Sequence, residues 1–389
     1  MHLCSPGSRR RLPFWLLGFF HCGGMSLLLS AQKVELPSGL AYWDQLITLR
    51  GGGGYKDNVL LSNRQLERSP FVSTELEASV WRLPTDGLEL NFYLEGNDLR
   101  YFSAPSVDHE QTLTTHAELK RALGKDWTVG FALQYFYQDQ VLDTTDITGV
   151  FNTGSVRGHT LTARPSVRRD LAANFWAELE TDVSRQLFAR PLDSEWQGGA
   201  KLSLGRAYGR RAEWLVSLEG SERVFDHRSQ FDREGFAVEG TELAFRQYAA
   251  ALTWRQYWDK ARRWRTSTRL GCARNEDNGP GYFDYTRYSV SEQLRYRAKG
   301  WEVRAQARLA YYDYAVQIGN ILLDPSNRRR TDLEFSLRVE KNLFKSLKGF
   351  ADLSRGDSNS NQTFFGERGE RVSFDYTANT ISAGFDWEF

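Results

Sequence analysis

The stretch FVSTELEASVWRLPTDGLELNFYLEG, Phe71 to Gly96, decides how the rest of this chain is read. Side chains of a strand point alternately to its two faces. Val72, Thr74, Leu76, Ala78 and Val80 therefore share one face, and Ser73, Glu75, Glu77 and Ser79 the other. PTDG, Pro84 to Gly87, follows, and Pro with Asp-Gly supplies tight-turn geometry. The return segment sets Leu88, Leu90, Phe92 and Leu94 against Glu89, Asn91, Tyr93 and Glu95. The result is a hairpin with one apolar and one wet face.

The same unit recurs around LGKD (Leu123 to Asp126), RDLA (Arg169 to Ala172), RAYGRR (Arg206 to Arg211), DKARR (Asp259 to Arg263), KG (Lys299, Gly300) and FKSLK (Phe344 to Lys348), making seven short turns. Eight longer polar stretches separate them, near residues 56–70, 100–110, 139–158, 186–194, 227–241, 276–284, 315–329 and 356–373. This double alternation predicts about 16 strands with both ends on the short-turn side. The expected fold is all-β, a transmembrane antiparallel up-and-down barrel over residues 44–389. Its first strand, near LITLRGGGGY, must pair with its last, because an open sheet edge cannot remain in hydrocarbon. Strand ten, ELAFRQYAAALTW, can be read in either register; GFADLSRGD is a weak strand; and Glu292 falls on the lipid-facing side of YSVSEQLRY.

Aromatic residues make up 14% of the chain, which suits β structure better than helix. Trp127, Trp264 and Trp301 directly follow short turns, Trp214 comes soon after one and Trp81 just before another. A bilayer interface selects tryptophan at one level, whereas a soluble sandwich or propeller does not. The formal net charge of +1 argues against a global attraction to nucleic acid or anionic lipid.

Residues 1–31 read as an export signal: Arg9 to Arg11, an apolar run from Phe14 to Leu29, then Ser30 and Ala31. That run is shorter than the roughly 20 residues a membrane helix needs. Residues 32–43 form a short periplasmic segment, and the expected location is the bacterial outer membrane. Cleavage near Ala31 leaves Cys272 as the mature chain's only cysteine, so no internal disulfide can form.

The C-terminal strand ending AGFDWEF, Ala383 to Phe389, resembles the terminal signal of bacterial outer-membrane proteins. That resemblance implies that Phe385, Trp387 and Phe389 are read by the barrel assembly machinery. GGGGYKDNVLLS, Gly51 to Ser62, is similar to the first strand and loop of barrel porins, including those found near exopolysaccharide export systems. The implied function is an outer-membrane channel, with no catalytic residues.

The residues themselves offer little catalytic chemistry. His116 lies on the wet face of TLTTHAELK without a distinctive partner, and the GDS and RGD triplets near Asp357 are short matches in a polar loop. Glu276, Asp277, Asn278 and Asp284 supply oxygen atoms without a recognised calcium spacing, so they read as a solvated loop. Gly51 to Gly54 lack the Lys-Ser/Thr of a phosphate loop and read as flexible or bulged strand. No enzyme activity, metal or cofactor is expected.

Charge placement is more informative. Glu75, Glu77, Glu89 and Glu95 turn inward on strands two and three, and Arg246, Arg265 and Arg269 are expected inward on strands ten and eleven. A step of eight strands in a ring of about 16 is the opposite wall. Two arrangements remain open, a transverse field across a water-filled lumen and local salt-bridge ladders. The third long connector, DQVLDTTDITGVFNTGSVRG, either folds into the lumen or stays outside. The expected work is passage of small polar solutes or a polysaccharide, with outer-membrane lipid as surroundings. The alternatives are a structural or assembly barrel with a plugged lumen and partner-binding loops, and, further off, a lipid-modifying enzyme.

Overall fold

Alternating apolar and polar residues commit each segment to two chemically different faces, and a closed sheet lets one face meet lipid and the other water. A computed structural model of the chain realises this as a closed antiparallel barrel of 16 strands. The structure describes residues 43–389 apart from 64, 85, 144–152, 190–191, 210, 321–323 and 366–370. The expected signal peptide and periplasmic segment, and the centre of the third long connector, lie outside the described residues.

The strands are β1 Trp43–Lys56, β2 Ser69–Arg82, β3 Leu88–Tyr101, β4 His109–Leu123, β5 Trp127–Asp143, β6 Thr153–Asp170, β7 Phe175–Phe188 and β8 Glu195–Tyr208. The second half comprises β9 Ala212–Phe225, β10 Ala244–Tyr257, β11 Trp264–Asp277, β12 Tyr285–Ala298, β13 Trp301–Asn320, β14 Asp324–Asn342, β15 Leu347–Ser360 and β16 Tyr376–Glu388. Each pairs with its sequence neighbours, and β1 closes on β16 from Thr48 opposite Glu388 to Lys56 opposite Thr380. GFADLSRGD is a full strand within β15. Within the stretch 315–329, expected as a loop, residues 315–320 and 324–329 instead extend β13 and β14, with register shifts after Asp313.

Polarity is inverted relative to a soluble protein. In β16, Phe385 is 57% exposed while its neighbour Asp386 is 4% exposed. The exposed row carrying Leu49, Leu76, Leu133, Leu202, Leu252 and Leu353 is the outer surface, and only a bilayer can cover it. Trp127, Trp264, Trp301 and Trp387 stand exposed on that row beside the short-turn end. Trp81 departs from the expected belt: it pairs with Asp44 and Asn91 in step with Glu77 and Ser79, so it faces inward. Convention places short turns on the periplasmic side.

The glycine run in β1 is not bulged, since its register with both neighbours is unbroken. A Cβ at Gly52 would lie 2.8 Å from the Ala383 carbonyl oxygen and 3.1 Å from Phe350 Cζ. One at Gly384 would lie 2.6 Å from Gly52 Cα and 2.9 Å from Phe350 Cε1. The glycines make room for the Phe350 ring at the closing seam. Glu292 does lie on the outer row, opposite Thr268 and Ala307 in continuous register with no bulge. The Thr268 hydroxyl donates to its carboxyl at 2.5 Å, partly satisfying a group in hydrocarbon.

At the long-loop end, inward aromatic residues anchor two small cores. Phe71 and Tyr101 gather Val59, Leu60 and Val107 from connectors, and Phe225 and Phe245 gather Leu243 and Phe283. Both bring loop residues onto the lumen side of the wall, which narrows the mouth.

Candidate functional site

The lumen wall is the candidate site, and register determines which charges reach it. The Arg50 guanidinium contacts Glu75 and donates through Nε to Asp386 at 2.7 Å, which identifies the row of these residues as inner. Following the pairing from there, Glu75 and Glu77 face inward on β2 opposite Asn97 and Glu95 of β3, and Glu89 follows in the same alternation. His116 lies on the same inner row of β4, between Tyr93 and Gln134. The inner row of β10 and β11 contains Thr253 opposite Arg269, and Arg265 shares that face of β11.

Arg246 does not reach the lumen. It shares the outer row of β10 with Tyr248, Leu252 and Trp254, and its Nε donates to outward Glu222 at 3.0 Å. The physical reason is parity: Ala249 to Ala251 carry no polarity that distinguishes the two registers, and a one-residue slip exchanges every side chain between faces. Phe385, Trp387 and Phe389 all stand on the outer row, with Trp387 and Phe389 stacked at a centroid distance of 5.8 Å.

Two charge arrangements coexist inside. Across the seam a ladder runs from Glu75 through Arg50 and Asp386 to Arg338, whose Nη2 reaches Asp386 at 2.9 Å, Nη1 reaches Asp352 at 2.9 Å and Nε reaches Glu340 at 2.5 Å. Arg338 also lies 4.5 Å over the Phe350 ring. Glu302 likewise takes Arg295, Arg297 and Arg304. Six other inward charges are left open. Among the described residues, Arg265, Arg269 and Arg287 form no ion pair, and neither do Glu77, Glu89 and Glu95 half a ring away. Glu95 accepts from Tyr93 Oη at 2.7 Å and Glu89 from Asn91 at 2.9 Å, neither partner being charged. Arg50 and Arg304 act electrostatically on Glu77 without forming an ion pair with it.

Sequence reading missed Arg50, Arg287, Arg308 and Arg338. The signal was present for Arg287, which alternates in step with Ser289 and Ser291 against Tyr288 and Val290.

Among the described residues, the loops carry defined local structure. Asp277 accepts backbone N–H groups from Gly279 at 2.9 Å, Gly281 at 3.0 Å and Phe283 at 2.8 Å, so this acidic run is a tight, self-bonded loop rather than a loosely solvated one. Arg228 is packed among Phe225, Phe231 and Phe283, and burial, together with nearby Arg223, pushes its guanidinium down to about 10. Burial pulls the Glu67 carboxyl up, but hydrogen bonds from Ser106 and Gln65 outweigh it and hold it below the usual value.

No protein-family model matches the chain, and no curated protein matches it. Among solved structures it is similar to OccAB3 of Acinetobacter baumannii, at 11% identity and TM-score 0.44, covering 89% of this chain and 99% of that one. An anion-selective porin from Comamonas acidovorans gives 12% identity and TM-score 0.44 over 89% and 99% of the two chains. A bacterial polysaccharide outer membrane secretin gives 11% and 0.40 over 88% and 97%. By its own strand pairing and its inverted polarity, the chain is a closed antiparallel β-barrel of 16 strands with the apolar outer surface of a membrane-spanning barrel.

Proposed function

We propose that the barrel is a passive channel for small polar solutes, with a transverse electric field across its lumen. The observation that carries this reading is the separation of open charge. Arg265, Arg269 and Arg287 line β11 and β12, while Glu77, Glu89 and Glu95 line β2 and β3, six to eight strands away around a ring of 16. A ring of that size leaves an aqueous interior. Fixed charges of opposite sign on facing walls orient dipolar solutes and set ion selectivity.

Single-channel conductance of the refolded protein in planar bilayers tests the reading, and discrete openings are expected. A barrel that inserts but never conducts would favour the structural alternative with a plugged lumen. The double substitution Arg265→Glu with Arg269→Glu should move the reversal potential in a salt gradient toward cation preference. An unchanged potential in conducting channels would remove the field and leave only the pore.

A further inference from the structure

The arginine wall has a finer feature than its charge. On the inner face, Ala251 of β10 lies opposite Gly271 of β11, Gly271 opposite Ser289 of β12, and Ser289 opposite Ala310 of β13. Four of the smallest side chains thus form one cross-strand row. One step below it, Arg269 and Arg308 flank Ser291; one step above, Arg287 sits beside Ala273. The small row is a recess of about 270 Å3, with three guanidinium groups at its rim and the serine hydroxyls beside them. Arg308 reaches Glu334 at 3.6 Å, while Arg269 and Arg287 make no ion pair among the described residues.

We propose that this recess is an anion-binding subsite of the lumen, which takes the carboxylate or phosphate group of a small hydroxylated solute. Arg269 and Arg287 face an uncharged floor with no anionic partner of their own among the described residues, and Arg308, shared with Glu334, adds to the positive rim that an anion would neutralise. A guanidinium presents a planar fork of donors that matches carboxylate and phosphate oxygens. The recess falls below the roughly 300–1,000 Å3 of pockets that hold drug-sized ligands, so it suits one sugar-sized unit. Gly271 keeps the floor open: a Cβ there would lie 2.8 Å from Ser289 Oγ. The subsite deepens the channel reading by naming a solute class, and its test does not depend on conduction.

The experiment is calorimetric titration of the refolded full chain in detergent with glucuronate, inorganic phosphate and glucose. Glucuronate, phosphate or both should bind saturably, and glucose should not at the same concentrations; the two anions tell which oxyanion the recess prefers. Arg269→Gln with Arg287→Gln should weaken anion binding at least ten-fold. Ala251→Phe, which fills the recess and keeps every arginine, should weaken it similarly, and heat-modifiable migration confirms that each variant is folded. Absence of anion binding, equal binding of glucose, or full affinity in folded Ala251→Phe would overturn the subsite. Failure to conduct while anions still bind would instead sink the channel and leave the subsite standing.

Discussion

The closing seam and the β10–β13 wall both present arginines to the lumen, yet they use them differently. At the seam, Arg50 and Arg338 are held among Glu75, Asp386, Asp352 and Glu340, with Phe350 beneath them and glycines cleared for its ring. At the recess, Arg269 and Arg287 stand over alanine, glycine and serine and form no ion pair among the described residues. An arginine neutralised by its neighbours ties strands together, while one left open can act on whatever passes. Local pairing, rather than the number of arginines, separates the two walls.

The largest effect that could break this comparison is at Arg338. Arg338→Ala leaves Asp386, 5% exposed in its side chain, short of a partner, and should cost about 3 kcal/mol in urea unfolding of the refolded barrel. Arg269→Ala, by contrast, should cost less than about 0.5 kcal/mol, because it relieves repulsion and buries nothing unpaired. Equal losses at the two sites would erase the distinction.

Gly384→Ala probes the seam without touching a charge. Its methyl meets β1 backbone and Phe350, and overpacking of this kind costs about 1–3 kcal/mol. The same substitution at outward Gly51, where nothing lies within 4 Å, should be nearly silent in the same unfolding assay.

Phe389 sharpens the seam's lower end, where its N–H donates to the Ile47 carbonyl at 2.9 Å. We propose that Phe385, Trp387 and Phe389 form the assembly address. Deleting Phe389 should lower the heat-modifiable fraction in cells several-fold with synthesis unchanged, and normal insertion would end that assignment. The smallest effect lies behind the recess, on the outer row. Glu292→Leu should raise unfolding stability by about 1 kcal/mol in lipid vesicles, since carboxyl groups on a lipid face are mildly destabilising. A loss of stability would mean that this face of β12 is not in contact with hydrocarbon.

Much of the barrel was legible residue by residue. Where a strand alternates cleanly, as in Glu75, Leu76, Glu77 and Ala78, the face of each side chain follows from parity, and the alternation of short and long connectors follows from closure. Arg246 was illegible because the three alanines after it leave parity unspecified. Glu292 was legible as an outward acid, but its Thr268 partner was not, because that contact depends on how β11 aligns with β12. The glycine run could be seen without its purpose, which is a ring contributed by Phe350, some 300 residues away in sequence.

The sequence by itself determined the class of fold, the approximate number of strands and the polarity of most faces, because a period of two is a local property that needs no partner. Tertiary structure alone decided which arginines are neutralised and which remain open. An ion pair or a recess forms only between side chains at the same level of adjacent strands, and that level is set by the register of the whole closed sheet.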